Sequence, residues 1–209
     1  VSREYYVNDE GNQMNTLGSS IRARYRELCG IKEEFPPDGY KGTYVNDIAG
    51  DFKDKYGEKH VEEGIEAFRE FGLKWILDDI KKDLKDFGVK FDVWYSQKSL
   101  RKSGSIDKAL ELIKDKGYIF QSEGATWFRS TEFGDDKDRV VVKSDGSYTY
   151  ITPDIAYHMD KYQRGFDFLV NILGFLQNTS IGVMVKSILN SFLMKESIFF
   201  LYFSNCFLF

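Results

Sequence analysis

The pair Asp145-Gly146 stands between the β-forming runs "RVVVK" and "YTYI", and "TPD" follows at residues 152–154. An Asp-Gly pair so placed is the signal for a two-residue hairpin turn whose backbone needs positive φ. Thr152 can then cap a helix, Pro153 fits the first helical position, where the N–H it lacks would have no partner, and Asp154 suits the positive end of the helix dipole. A strand, a tight turn, a second strand ending at Tyr150 and a proline-started helix therefore succeed one another here. That order excludes an all-helical chain.

The rest of the sequence repeats the alternation. Tyr5, Tyr6 and Val7 are β-formers that end at an Asn-Asp pair, which predicts a short strand and a turn. From Asn12 to Leu28, Met14, Leu17, Ile21, Tyr25 and Leu28 recur every three or four positions, as on one helix face, and Gly30 closes that helix. "EEFPPDGYKGTY" must be an extended loop, since a helix cannot pass Pro36 and Pro37. A long amphipathic helix is predicted over about 62–87, with Phe68, Phe71, Trp75, Ile80, Leu84 and Phe87 on its apolar stripe and Gly88 after it. "KFDVWYS" reads as a strand, and Ile106 to Lys116 as a helix with Ala109, Leu110 and Ile113 inward, ended by Gly117. "YIF", "ATWF" and "RVVVK" read as successive strands. Helices interleaved with strands give an α/β fold class.

With 209 residues, 42% of them hydrophobic, the chain can bury a sizeable core. Its formal charge of −4 excludes nucleic-acid binding by bulk basicity and leaves only a specific site. Cys29 and Cys206 lie far apart and only His60 and His158 could join them, so neither a metal site nor a disulfide framework is expected, which suits a reducing cytoplasm. The start, "VSREYYVNDEGNQ", has no apolar signal segment and reads as cut from a longer chain. Beyond Gly174 charges nearly vanish. The closing run "IFFLYFSNCFLF" is too short to span a bilayer, and a span lengthened from Ile188 would include Lys195 and Glu196, so a packed or aggregation-prone segment is expected rather than a membrane one.

Three places carry candidate chemistry. At the end of the hairpin, Tyr150 and Asp154 put a phenol and a carboxylate where α/β proteins bind ligands, and a cationic group would find an acceptor there. On the residues alone the simpler account is that Asp154 serves the helix dipole and Tyr150 packs. "STEFGDDKDRVVVK" gathers Glu132, Asp135, Asp136 and Asp138 beside Lys137 and Arg139, but its spacing matches no calcium loop, and a solvated loop of ion pairs is the simpler reading. "VNDEGNQ" lacks the glycine triplet of a dinucleotide fingerprint, and neither histidine has a nucleophile near it in sequence.

The segments "REYYVNDEGNQMNTLGSSIRARYREL", "PPDGYKGTY", "LKDFGVKFDVWYSQKSL" and "GATWFRSTEFGDDKDRVVVKSDGSYTYITPDIAYHMDKYQRGFD" together resemble, in order and spacing, the catalytic core of bacterial arginyl-tRNA synthetases, from Val1 to about Gly174. The resemblance implies a partial class I nucleotide-binding, Rossmann-like core with an inserted connective α+β region that takes in "KFDVWYS" and its neighbouring helix. It divides the chain into 1–30, part of the core; 31–125, the connective insertion and helices; 126–174, a second part of the core with the arginine-pocket strand and helix; and 175–209, a divergent apolar tail. It implies arginine–tRNA ligase activity in the cytoplasm, in which ATP, with Mg as its counter-ion, activates arginine and the arginyl group passes to its tRNA. The family's arginine pocket maps onto Tyr150 and Asp154. The chemistry agrees, because a guanidinium is always charged and a carboxylate can give it charge-assisted hydrogen bonds while a phenol supplies a polar contact or a stacking face.

The same resemblance implies that the family's His-Ile-Gly-His-type signature should precede Val1, together with a glutamate and an asparagine that complete the pocket. After "FDFLVNILG" the family continues with a Gly-Ala-Asp-His-His-Gly-type segment, where this sequence has "GFLQNTSIGVMVKSIL". The lysine-rich signature loop and the anticodon-binding domain are not in these residues either. No catalytic residue and no metal ligand is therefore assigned, ATP is not expected to bind this chain tightly, and the chain alone is expected to be inactive. The alternative function is a truncated product or binding module with weak affinity for arginine or the tRNA acceptor end. The sequence carries no signal of oligomeric state.

Overall fold

Tyr5, Tyr6 and Val7 form strand β1 (Glu4–Val7) in the computed structural model, which describes residues 1–166, 168–174 and 198–203. Four further elements follow up to Lys98: helices α1 (Asn12–Leu28), α2 (Thr43–Tyr56) and α3 (Glu66–Asp86), and strand β2 (Val93–Ser96). β1 and β2 pair in parallel, with Glu4 opposite Val93 and Val7 opposite Ser96. The starts of the two strands are tied together by Asp92, whose carboxylate accepts a hydrogen bond from the backbone N–H of Arg3 at 2.8 Å. The residues Val1–Lys98 form one compact unit and Ser99–Phe209 a second. The division falls inside the stretch 31–125.

The predicted stripe of α1 is the core of the first unit. Met14, Leu17, Ile21 and Tyr25 are buried with Val45, Ile48, Ala49 and Phe52 of α2 and Phe68 of α3. Three rings close its centre: Phe52 and Phe68 have centroids 4.6 Å apart, and Tyr25 lies 5.2 Å from each. Tyr25 is fully buried, and its hydroxyl donates to the Gly57 carbonyl at 2.9 Å, so the ring brings no unpaired polar group into the core. Helix α2 was not anticipated as an element of its own, although Val45, Ile48, Ala49 and Phe52 have helical spacing.

The predicted stops hold, and their geometry explains why. After α1, Gly30 has φ 76°, its N–H reaches the Glu27 carbonyl at 3.0 Å and the Ile31 N–H reaches the Arg26 carbonyl at 2.8 Å. This double closure of the last turn needs a left-handed residue, which glycine adopts without strain. Gly88 and Gly117 close their helices with the same pair of bonds. Two stripe positions differ from expectation. Leu28 and Phe87 are exposed, because each sits in the last turn of its helix or just past it, beyond the reach of the packed face.

The second unit begins within the short helix α4 (Gln97–Lys102) and continues with α5 (Ser105–Asp115), whose inward residues are Ile106, Ala109 and Ile113, while Leu110 is half-buried. Strands β3 (Ile119–Ser122), β4 (Ala125–Phe128) and β5 (Arg139–Val142) make an antiparallel sheet in that order. Helix α6 (Ile151–Gln163) packs on α5 and β5. Strand β6 (Leu169–Gly174) then pairs in parallel with β7 (Ile198–Phe203), from Leu169 opposite Ile198 to Gly174 opposite Phe203. Of the expected apolar tail only β7 is described; 175–197 and 204–209, with Cys206, lie outside the described residues. No helix among the described residues is long and apolar enough to cross a membrane.

Replacing Phe52 with alanine empties the centre of the three-ring cluster. We expect a loss of about 3–5 kcal/mol in unfolding free energy, read from urea denaturation of the chain; a loss below about 1 kcal/mol would show that these rings do not form the core.

Candidate functional site

The site is built where β5 turns back to feed α6. The connection is one residue longer than the two-residue turn expected from Asp145-Gly146. The Gly146 N–H reaches the Lys143 carbonyl at 2.9 Å and the Lys143 N–H reaches the Ser147 carbonyl at 2.8 Å, which leaves Ser144, Asp145 and Gly146 in the loop. Only Gly146, with φ 79°, takes the left-handed conformation, the pattern of a turn followed by a glycine bulge. Asp145 accepts from both the N–H and the hydroxyl of Ser147, at 2.9 and 2.6 Å, and so holds the tip closed. The returning segment pairs only at Tyr148, opposite Val142, and then enters the helix.

Helix α6 starts two residues earlier than the Thr-Pro-Asp signal implies. Tyr150 precedes its first residue with helical φ and ψ of −62° and −25°. Thr152 is not a cap: its side chain is buried and its hydroxyl donates to the Val141 carbonyl at 2.6 Å, pinning the helix to β5. That bond outcompetes capping because it is made in the buried interior, where it adds to the one the Val141 carbonyl already accepts from the Thr149 N–H at 3.1 Å and does not compete with water. Pro153 is thus the third helical residue, still within the turn whose N–H groups have no helical acceptor.

This start places Tyr150 and Asp154 one turn apart on one face of α6. Tyr150 is exposed and Asp154 is partly buried. Desolvation pushes the Asp154 carboxyl up to about 6, against the opposing pull of the Lys161 charge. Among the described residues no donor is bonded to that carboxylate, in contrast to the nearby acids of the loop before β5. There Asp135, only 3% exposed, takes two bonds from Arg139, at 2.8 and 2.7 Å. The Arg139 guanidinium holds the Asp135 carboxyl down at about 2, and Asp135 in turn holds the Arg139 guanidinium above its usual range. Asp138 accepts from the N–H and hydroxyl of Thr131 at 3.1 and 2.8 Å. The acidic loop is therefore a structural ion-pair network, and no group of three His, Cys, Asp or Glu among the described residues could hold a metal ion.

Behind Asp154 lies a second set of polar residues that sequence reasoning did not connect. His158 is buried, with Nδ1 2.8 Å from the Asp154 carbonyl and Nε2 3.2 Å from Asn171 Oδ1 on β6. The Lys161 ammonium donates to the same oxygen at 2.7 Å and lies 4.0 Å from the centre of the Tyr157 ring. Asp154, His158 and Lys161 have helical spacing and could have been aligned from sequence; Asn171 could not, since its pairing depends on where β6 docks.

The turn between β1 and α1 offers no phosphate cradle. It carries Asp9, whose carboxylate accepts from the Ser96 hydroxyl at 2.5 Å and the Lys98 N–H at 2.9 Å. An anion brought there would meet a carboxylate already fixed in place.

The chain matches the family described as tRNA synthetases class I (R), catalytic domain, over residues 2–185. It is 53% identical over 178 residues to arginine–tRNA ligases of Bacillus pumilus (strain SAFR-032) and Bacillus subtilis (strain 168), covering 83% of this chain and 32% of each relative. A solved structure of a Campylobacter jejuni protein described as an arginyl t-RNA synthetase superposes with a TM-score of 0.85 at 32% identity, over 97% of this chain and 45% of that one. The chain thus spans about a third of the length of the curated relatives it matches.

The Asp135–Arg139 pair gives a prediction with a fixed sign. Because the folded carboxyl titrates at about 2 against an ordinary value of 3.8, its contribution is complete above pH 4 and is lost as pH falls toward 2. Asp135→Asn should cost about 2 kcal/mol at pH 7 and less as acid is added; equal losses for the variant at pH 7 and pH 2.5 in urea unfolding would contradict this assignment.

Proposed function

Because the chain belongs to the class I (R) tRNA synthetase catalytic-domain family, we propose that Tyr150 and Asp154 grip the side chain of arginine in an arginine–tRNA ligase. The observation that carries this reading is the Asp154 carboxylate. It is desolvated, one helical turn from an exposed phenol, and has no hydrogen-bond donor of its own among the described residues. A guanidinium supplies what the site lacks: a permanent charge and a planar fork of N–H donors. The neighbouring Arg139 does not, because Asp135 and Asp136 already hold it.

Selectivity follows from the same deficit. A neutral side chain of similar shape would leave the Asp154 charge desolvated and unpaired, and sites built on such a group reject the analogue that cannot satisfy it. Tyr150, more exposed, offers its ring face or hydroxyl to the flat guanidinium. The family's use of ATP and of an arginine-accepting tRNA extends to this chain as part of the same proposal. No phosphate cradle is assembled among the described residues, so the chain's own share of the reaction is to bind and orient the amino acid, with no step through ATP assigned to them. Pyrophosphate release in the presence of arginine, ATP and tRNA separates a ligase from a binding module.

The test is calorimetry with arginine across pH. The Asp154 carboxyl titrates at about 6 when empty, so the acceptor is charged above that pH and neutral below it. Arginine affinity should be highest above pH 6 and fall about tenfold per pH unit below it. Asp154→Asn should weaken binding at pH 7.5 by roughly 10- to 100-fold, the worth of a charged hydrogen bond, and flatten the pH dependence. Identical curves for the two proteins would remove the assignment.

A further inference from the structure

The polar set behind Asp154 fixes a protonation state by elimination. The Asp154 carbonyl can only accept, so His158 Nδ1, 2.8 Å away, carries a hydrogen. The Lys161 ammonium can only donate, so the Asn171 atom 2.7 Å from it is the amide oxygen and not the nitrogen. That same oxygen faces His158 Nε2 at 3.2 Å. A neutral ring with its hydrogen on Nδ1 would oppose a lone pair to a lone pair at a buried site. Turning the amide over would relieve the ring but set an N–H against the ammonium. Only a ring with hydrogens on both nitrogens satisfies all of these described neighbours.

We infer that His158 is a positioning residue for the arginine site, acting as an imidazolium that ties the backbone of Asp154 to Asn171 on β6. The significance for arginine rests on the function proposed above, whereas the state of the ring does not. His158 and Asn171 are both more than nine-tenths buried, so the tie is shielded from competing water. Among the described residues the buried Asn171 nitrogen has no partner, which leaves the amide held through its oxygen.

The charges around the ring among the described residues make the balance explicit. On α6 itself Asp154 favours the extra proton and Lys161 opposes it, while the Tyr157 ring, 5.5 Å away, stands edge-on to the imidazole. Asn171 of β6 is neutral. From β5, Arg139 is held by Asp135 and Asp136, and Val141 offers its carbonyl to Thr152. The buried residues of α5 are the apolar Ile106, Ala109 and Ile113, and its Asp107 accepts from the Tyr148 hydroxyl. The imidazolium stands by its two acceptors and by the Asp154 carboxylate, against burial and the ammonium.

The ring can be read directly, because the chain has only two histidines. In the nitrogen-15-labelled full chain, the signals absent from His158→Gln belong to His158; His60→Gln gives the same assignment if that variant does not fold. At pH 7 both His158 nitrogens should carry hydrogen, and Nε2 should lose its proton only above pH 7, later than an ordinary histidine. A bare Nε2 at pH 7 would overturn the inference. Positioning through charge has its own readout: in His158→Gln the titration midpoint of the Asp154 carboxyl carbon should rise, reflecting the lost cation, and an unmoved midpoint would reduce His158 to packing. Neither measurement uses arginine, so failure of arginine to bind would count against the proposed function and leave this result standing.

Discussion

A partly buried carboxylate that no donor among the described residues reaches is the constraint on which the second unit turns. Asp154 would be easiest to accommodate if an arginine side chain of the protein reached it. Instead the nearby guanidinium is committed to Asp135, and the start of α6 is pinned by the buried bond from Thr152 to β5. The two arrangements leave Asp154 without a donor among the described residues. Under the proposed function this is a form of preorganisation, since an arginine that brings the missing donors has none of those contacts to displace.

Much of this was legible in the sequence, and the residues show why some was not. Local signals were sufficient where the cause is local: Gly30, Gly88 and Gly117 end their helices because the double closure of a last turn needs a left-handed residue, and the stripe Met14, Leu17, Ile21, Tyr25 is buried because helical spacing puts it on one face. Local signals misled where a distant partner decides. Thr152 has the identity and position of a cap, but the buried carbonyl of Val141, eleven residues earlier, takes its hydroxyl beside the N–H of Thr149. The same holds for the Asp145-Gly146 turn, lengthened by one residue because Asp145 keeps ordinary φ and leaves only the glycine left-handed. The proposed arginine-site residues Tyr150 and Asp154 entered through family resemblance, because spacing alone does not distinguish them from a helix start. Asn171 was out of reach, as its contact with His158 exists only once β6 is in place.

The first unit solves a different problem with ordinary means. Its central polar atom, the Tyr25 hydroxyl, donates to Gly57 and accepts from the His60 N–H at 3.3 Å, so the three-ring cluster is closed without an orphan group. Arg22 and Arg26 converge on Glu33, at 2.6 and 3.2 Å, and fasten the loop after α1 to that helix. Among the described residues this unit carries no carboxylate raised by burial as Asp154 is.

The parallel pairing of β1 with β2 has a bearing on how the chain is made. Glu4 meets Val93, so the partner of the first strand is synthesised 89 residues after it. At about 5–20 residues per second, Glu4–Val7 waits roughly 5–20 s at the ribosome for that partner. In that interval α1, α2 and α3 have time to condense on their aromatic centre. The pairing of β1 with β2 is therefore a late step in the assembly of this unit, and until then the two tyrosines and valine of β1 are a surface a nascent chain would have to keep from sticking elsewhere.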